Sequence, residues 1–272
     1  MKVLCFCMAI VCCLGFTSAW AEEQTFTSPL DKRFTFYGGA QFYQADGKFK
    51  NSVDGQPDVS VDMDDLGLDD NKISPAAGGI INFWGRRLTL RFDYFGYHDD
   101  AKNVKADFSF DWDGETIPAN ADLDSNLDLD IYVINLSYNF IRTDRARLGG
   151  GVGVHLADVD LGISGSVDGV VVASGDADVL APLPNIYVNG AYAFTDQFLL
   201  RYGGGGMSLS YGDWDGSLLF ANAFLEYWPW QHLGFGAGYR YVDVDLDYDP
   251  GHKKETYDFT LPGPVLYVTA GF

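Results

Sequence analysis

Five aspartates crowd into nine residues at Asp62-Met-Asp-Asp-Leu-Gly-Leu-Asp-Asp70, and clustered carboxylates are hard oxygen ligands for divalent cations. Gly67 stands sixth from Asp62, as in an EF-hand loop. Leu66, however, occupies a ligand position, and Ile73 stands where the bidentate Glu belongs. An EF-hand is excluded. What remains is weak divalent-cation binding by Asp62, Asp64, Asp65, Asp69 and Asp70. A sparser set of charges, Arg91, Asp93, Arg201, Glu226 and Arg240, lies within apolar stretches, where charges must pair with one another. His98-Asp99-Asp100 and His155 have the residue types of a general base, which needs a carboxylate and a nucleophile beside it. His252, flanked by Gly251 and Lys253, offers no matching second pair, and no Ser–His spacing marks a lipase or deacylase. Cofactor motifs are not found.

The elements that carry these residues show a period of two, the signature of β-strands. Leu88, Leu90, Phe92 and Tyr94 share one face, and Thr89, Arg91, Asp93 and Phe95 the other. Tyr132, Ile134, Leu136, Tyr138 and Phe140 alternate with Asn135, Ser137 and Asn139. That band covers nine residues, within the ~9–11 a tilted strand needs to cross a bilayer. Charged residues facing lipid are costly, so Arg91, Asp93 and their kind must face a lumen. Strands are expected from Arg33, across 76–84, from Leu88, across 127–140, from Leu148, and across 185–194, 198–211, 217–228, 233–247 and 256–272. Trp84-Gly-Arg-Arg87, Arg142-Thr-Asp-Arg145, Thr195-Asp-Gln197 and Trp228-Pro-Trp-Gln231 are short turns, the tryptophans of the last suiting an interfacial belt. Segment 51–74 reads as a loop, and 162–178 as a long hairpin. Short turns alternating with longer loops give an all-β, up-and-down antiparallel transmembrane barrel of ten strands, or eight if an early strand is miscounted.

Three strands change phase beyond the apolar band. Asp243, Asp245 and Asp247 continue the outward parity of Tyr239 and Tyr241; Asp128 and Asp130 that of Tyr132; Asp158 and Asp160 that of Leu156. Their inward neighbours, Leu127, Leu129, Val159, Leu161, Val242, Val244 and Leu246, are apolar. Lipid cannot surround aspartates, so the barrel is expected to project from the membrane as a collar, acidic outside and packed with side chains inside. A wide aqueous pore needs about sixteen strands.

The chain opens with Lys2, an apolar run over Val3–Phe16 and Ala19-Trp20-Ala21, a secretory signal segment over 1–21. All four cysteines fall within it, so the expected mature chain has neither disulfides nor thiolate metal sites. Val11 before Cys12, and Cys12 before Cys13, argue against lipoprotein cleavage. Residues 22–32 are expected as a periplasmic leader and 33–272 as the barrel, with both termini periplasmic. A formal net charge of −20, one unit more negative without Lys2, argues against nucleic acid or anionic lipid as a bulk electrostatic partner.

The last stretch, Gly263-Pro-Val-Leu-Tyr-Val-Thr-Ala-Gly-Phe272, resembles the closing strand of bacterial outer-membrane barrels, in which the terminal Phe is an assembly signal read by the barrel-assembly machinery. Together with Asp62–Asp70, Ala181-Pro-Leu-Pro184 and Gly212-Asp-Trp-Asp-Gly216, it is similar to a proteobacterial barrel family loosely akin to outer-membrane protein A and W type barrels. No catalytic residues are established for that family, so the resemblance carries over none. Unlike outer-membrane protein A, no peptidoglycan-binding domain is expected after the barrel. The resemblance implies a Gram-negative outer membrane and its lipids, including lipopolysaccharide, whose phosphates divalent ions cross-link. The leading expectation is a non-enzymatic envelope protein, with a largely plugged lumen, presenting acidic hairpins to an extracellular partner of unstated identity. The alternatives are a narrow channel for ions or small apolar solutes, and a rim hydrolase of the omptin or lipid-A-modifying kind.

Overall fold

The computed structural model describes residues 28–53, 59–112, 115–249, 251 and 253–272. The expected signal segment and residues 22–27 lie outside them, as does His252. In chain order the strands are β1 (Phe34–Phe42), β2 (Asp46–Val53), β3 (Val59–Asp62), β4 (Ile73–Phe83) and β5 (Leu88–Lys105). A small hairpin of β6 (Phe110–Trp112) and β7 (Glu115–Ile117) comes next, then β8 (Asp122–Arg142), β9 (Ala146–Val167) and β10 (Val170–Ala193). The chain finishes with β11 (Phe198–Tyr211), β12 (Trp214–Tyr227), β13 (Leu233–Tyr248), β14 (Lys253–Thr260) and β15 (Gly263–Gly271).

Ten of these close into a ring, β1-β4-β5-β8-β9-β10-β11-β12-β13-β15 and back to β1, every neighbour antiparallel. Closure pairs the edge that each strand would otherwise expose. Alternation in the sequence becomes alternation in burial. On β8, Tyr132, Ile134, Leu136, Tyr138 and Phe140 are 42–59 % exposed, while Ile131, Val133, Asn135, Ser137 and Asn139 between them are buried. A wall this apolar around a whole ring is the surface of a protein whose solvent is lipid.

Beyond the belt, β8, β9 and β10 run on to lengths of 21, 22 and 24 residues and form the expected collar. Leu127, Leu129, Val159, Leu161, Val242, Val244 and Leu246 are buried inside it, with Phe49, Tyr97 and Phe259. Asp128, Asp158, Asp160 and Asp245 stay exposed outside. The segment 162–178 is the expected long hairpin. It continues the β9–β10 ladder to a two-residue turn at Asp168-Gly169, both at positive φ, as a primed hairpin turn requires.

Strand ten is broken. β15 ends its partnership with β13 at Gly263, Pro262 interrupts the ladder, and β14 takes over the collar half of β13. β14 pairs with β2 and β2 with β3, so segment 51–74 holds strand and a 3-10 turn (Asp64–Leu66) rather than loop alone. Between β3 and β5 the wall is sealed by residues 63–72. Met63, Leu66 and Leu68 point into the collar core, all at most 2 % exposed.

The four short turns lie at the opposite end, beside both described chain ends. Residues 28–32 do not trail away from that mouth. Pro29–Asp31 form a 3-10 turn that seats Leu30 against Ala191, Ala193 and Leu199. The Asn82 amide holds the carbonyl of Lys32 at 2.9 Å, and the Lys32 ammonium reaches the carbonyl of Gln231. The Arg33 and Phe34 amides donate to the carbonyl of Phe272, and the Phe272 amide donates to the carbonyl of Phe34, so the last residue locks to the first strand. Trp228 departs from the expected belt: it is fully buried under this mouth, whereas Trp230 is 56 % exposed.

Candidate functional site

The expected lumen charges assemble in two adjoining sets inside the belt. In the first, Arg91 on β5 clasps Asp93 through Nε at 2.7 Å and a terminal nitrogen at 3.1 Å. Arg240 crosses the lumen from β13, reaching Asp93 at 3.3 Å and Gln41 at 3.0 Å, with its guanidinium 4.1 Å from the Phe95 ring centroid. The second set centres on Glu226. It accepts from Arg201 Nε at 2.8 Å, Trp228 Nε1 at 2.9 Å and the Tyr267 hydroxyl at 3.1 Å. Asp93 and Glu226 are each nearly inaccessible, and multiple charge-assisted donors are what such buried carboxylates require.

Sequence reasoning missed Arg147, although it shares the inward parity of Gly149, Gly151 and His155. It is 8 % exposed and lies at the short-turn end of the lumen, 3.5 Å from Asp31, which Arg86 holds at 2.6 Å. The polar lumen keeps small cavities of about 30, 40 and 10 Å³, each room for one or a few waters. His155 borders the first. Its Nδ1 lies 3.1 Å from the Asn185 amide nitrogen and its ring packs tilted against Phe220, 4.7 Å between centroids, so its surroundings are packing and an amide.

The residues of the acidic stretch do not converge on one point. Asp62 pairs with Lys48 at 3.4 Å and Asp65 accepts from the Asp62 amide at 3.0 Å. Asp69 caps the Asn71 amide at 3.1 Å. Asp64 and Asp70 lie together, and partial burial with this neighbour holds the Asp70 carboxyl above its usual range. Among the described residues no group of three His, Cys, Asp or Glu is placed to hold a metal ion. The backbone of this stretch instead docks on the collar. The Tyr97 hydroxyl donates to the Asp69 carbonyl and Ser125 to the Leu66 carbonyl, both at 2.6 Å.

Asp99, inward on β5, anchors the seal by accepting from the Asp69 amide and from Lys72, each at 2.6 Å. Burial pushes its carboxyl up, but the Asp69 amide, the Lys72 ammonium and the Asp100 amide together hold it below the usual range. The same hydrogen bond holds Lys72 above its ordinary value. His98 points the other way, its Nε2 3.1 Å from Asp130, which also accepts from the Tyr94 hydroxyl at 2.8 Å. The histidine and the aspartate beside it in sequence thus stand on opposite faces of the wall.

A closed antiparallel ring with an apolar belt, short turns at one end and a tall collar at the other leaves one architecture. The chain folds as an outer-membrane β-barrel. No protein-family model matches it, and neither does any curated protein. Among solved structures it is similar to the outer-membrane protease OmpT from Escherichia coli, at 12 % identity and a TM-score of 0.48, covering 92 % of this chain and 99 % of that one. The translocator domain of the autotransporter NalP from Neisseria meningitidis gives 14 % and 0.45, over 89 % and 91 %. The outer-membrane protein OprG from Pseudomonas aeruginosa gives 12 % and 0.43, over 88 % and 95 %. Likenesses this distant carry no argument about activity, and the barrel rests on its own strand pairing.

Proposed function

We propose that this protein is a non-enzymatic, non-conducting envelope barrel that acts through the outer surface of its collar. One observation carries this reading: apart from small cavities of about 30, 40 and 10 Å³, the lumen is filled with side chains. Collar side chains pack an apolar core, ion-paired arginines and carboxylates fill the belt, and Leu30 with Lys32 corks the short-turn mouth. In this reading the short turns and both chain ends are periplasmic, the collar is extracellular, and Phe272 is the signal for barrel assembly.

The outward aspartates of the collar stand where lipid headgroups meet water. Asp128, Asp160 and Asp178 face one another across three neighbouring strands, as do Asp215 and Asp247. Like charges in direct register repel, and divalent cations shared with the phosphates of lipopolysaccharide relieve that repulsion. The partners this reading names are therefore lipopolysaccharide and its bridging cations. Planar-bilayer recording of the mature protein tests it: a silent membrane is expected, whereas unitary steps abolished by Arg91→Ala or Arg240→Ala would establish the narrow channel instead.

A further inference from the structure

The cavity of about 40 Å³ at the short-turn end of the lumen has an unusual electrical lining. Arg91, Arg147 and Arg201 border it, with Thr89, Asn139 and Asn189, and no carboxylate does. Asp93 is shared between Arg91 and Arg240, and Glu226 is engaged by Arg201, Trp228 and Tyr267. Asp31, at the mouth, is shared with Arg86 and reaches Arg147 only at 3.5 Å. Among the described residues the Nε of Arg147 has no hydrogen-bond partner, although that side chain is more than nine-tenths buried.

An arginine in this position is costly unless something negative faces it. Arg91 and Arg201 are paired with Asp93 and Glu226, but among the described residues five arginines (Arg86, Arg91, Arg147, Arg201 and Arg240) share only three carboxylates (Asp31, Asp93 and Glu226), and the charge that Arg147 lacks calls for an anion from outside the chain. The geometry points to a binding site for one small monatomic anion, chloride in the cell, between Arg147, Arg91 and Arg201. The cavity suits that size: a water needs roughly 10–15 Å³ of such space, so a halide fits together with one water. That water has work to do, because the Oδ1 atoms of Asn139 and Asn189 also lack partners. Both amides lean over Gly149, where a Cβ would stand 2.7 Å and 3.2 Å from those oxygens, so the glycine keeps the space open. The site does not depend on what the collar binds, and it would exist in a silent barrel or a conducting one.

Bromide is the probe. Crystals of the mature protein grown in sodium bromide, with diffraction recorded at the bromine edge, should show an anomalous peak between the three arginines. Arg147→Met should lose it, while Arg145→Met, at the exposed turn and away from the cavity lining, should keep it. In detergent at fixed ionic strength, replacing gluconate by bromide should raise the melting temperature of the wild type by roughly 2–4 °C, the scale of a single ligand on a chain of this size. If Arg147→Met does not fold, the wild-type anomalous map and anion series decide alone. An empty lumen in that map, melting indifferent to the anion, or a peak surviving Arg147→Met would overturn the assignment.

Discussion

The belt and the collar are built from the same strands and obey opposite rules. Along β8, Tyr132 to Phe140 turn apolar side chains outward and Asn135, Ser137 and Asn139 inward. A few residues earlier, Asp128 and Asp130 turn outward and Leu127 and Leu129 inward. Side-chain parity never slips across this boundary, and the ladder to β9 stays in register through it. What inverts is the solvent. Lipid outside demands an apolar wall and leaves the interior to paired charges, whereas water outside allows carboxylates there and leaves the interior to close packing. The inversion marks the membrane edge without any reference to another protein.

The contrast can be broken from either side. Asp93→Leu should be the most damaging change, because it leaves Arg91 and Arg240 buried without an anion. We expect about 3–5 kcal/mol of lost stability, read from denaturant unfolding in detergent or lipid. Ile134→Arg places a charge in the belt and should cost about 2–4 kcal/mol, depending on its depth. The same replacement at Asp158, exposed on the outside of the collar, should be nearly silent. Equal losses at the two positions would erase the distinction between belt and collar.

Within the collar, Asp99→Asn should release the seal over residues 63–72 at a cost of about 1–3 kcal/mol, visible as faster proteolysis of that segment. The folded carboxyl titrates below its ordinary value of 3.8. Its contribution is therefore complete above that value and lost as pH falls through the lower folded one. The variant should lack this acid limb in its unfolding profile. Asp160→Asn should act in the opposite direction and least of all. Removing one carboxylate from the row with Asp128 and Asp178 should stabilise by about 0.2–1 kcal/mol, by less at high salt, while weakening any stabilisation by magnesium.

The barrel was legible because period two survives in most strands. Its ten members, the short turns and the phase change could all be read from residues such as Leu88–Phe95 and Val242–Asp247. Less was legible where local chemistry gave way to tertiary contacts. The Asp-rich stretch looked like a cation loop because its charges are local, but the role of Leu66 and Leu68 as collar core depends on β3 failing to reach β5. The long hairpin over 162–178 was legible too, although the acidic residues there hid its two-residue turn at Asp168-Gly169. Trp228 resembled an interfacial anchor until Glu226, two residues away on the same face, proved to be its partner. Arg147 was masked by the arginines of the adjacent turn, although parity alone placed it inside.

The membrane edge itself can be measured. The four cysteines of the sequence all lie within the first 13 residues, so single cysteines introduced into residues 33–272 are reported without background once the segment expected as a signal is removed. Asp128→Cys and Ile134→Cys, both outward on β8, should differ completely toward a membrane-impermeant maleimide added to intact cells. The account predicts labelling at 128 and protection at 134, with the boundary beside Tyr132. Equal labelling of the two, or protection of 128, would contradict it.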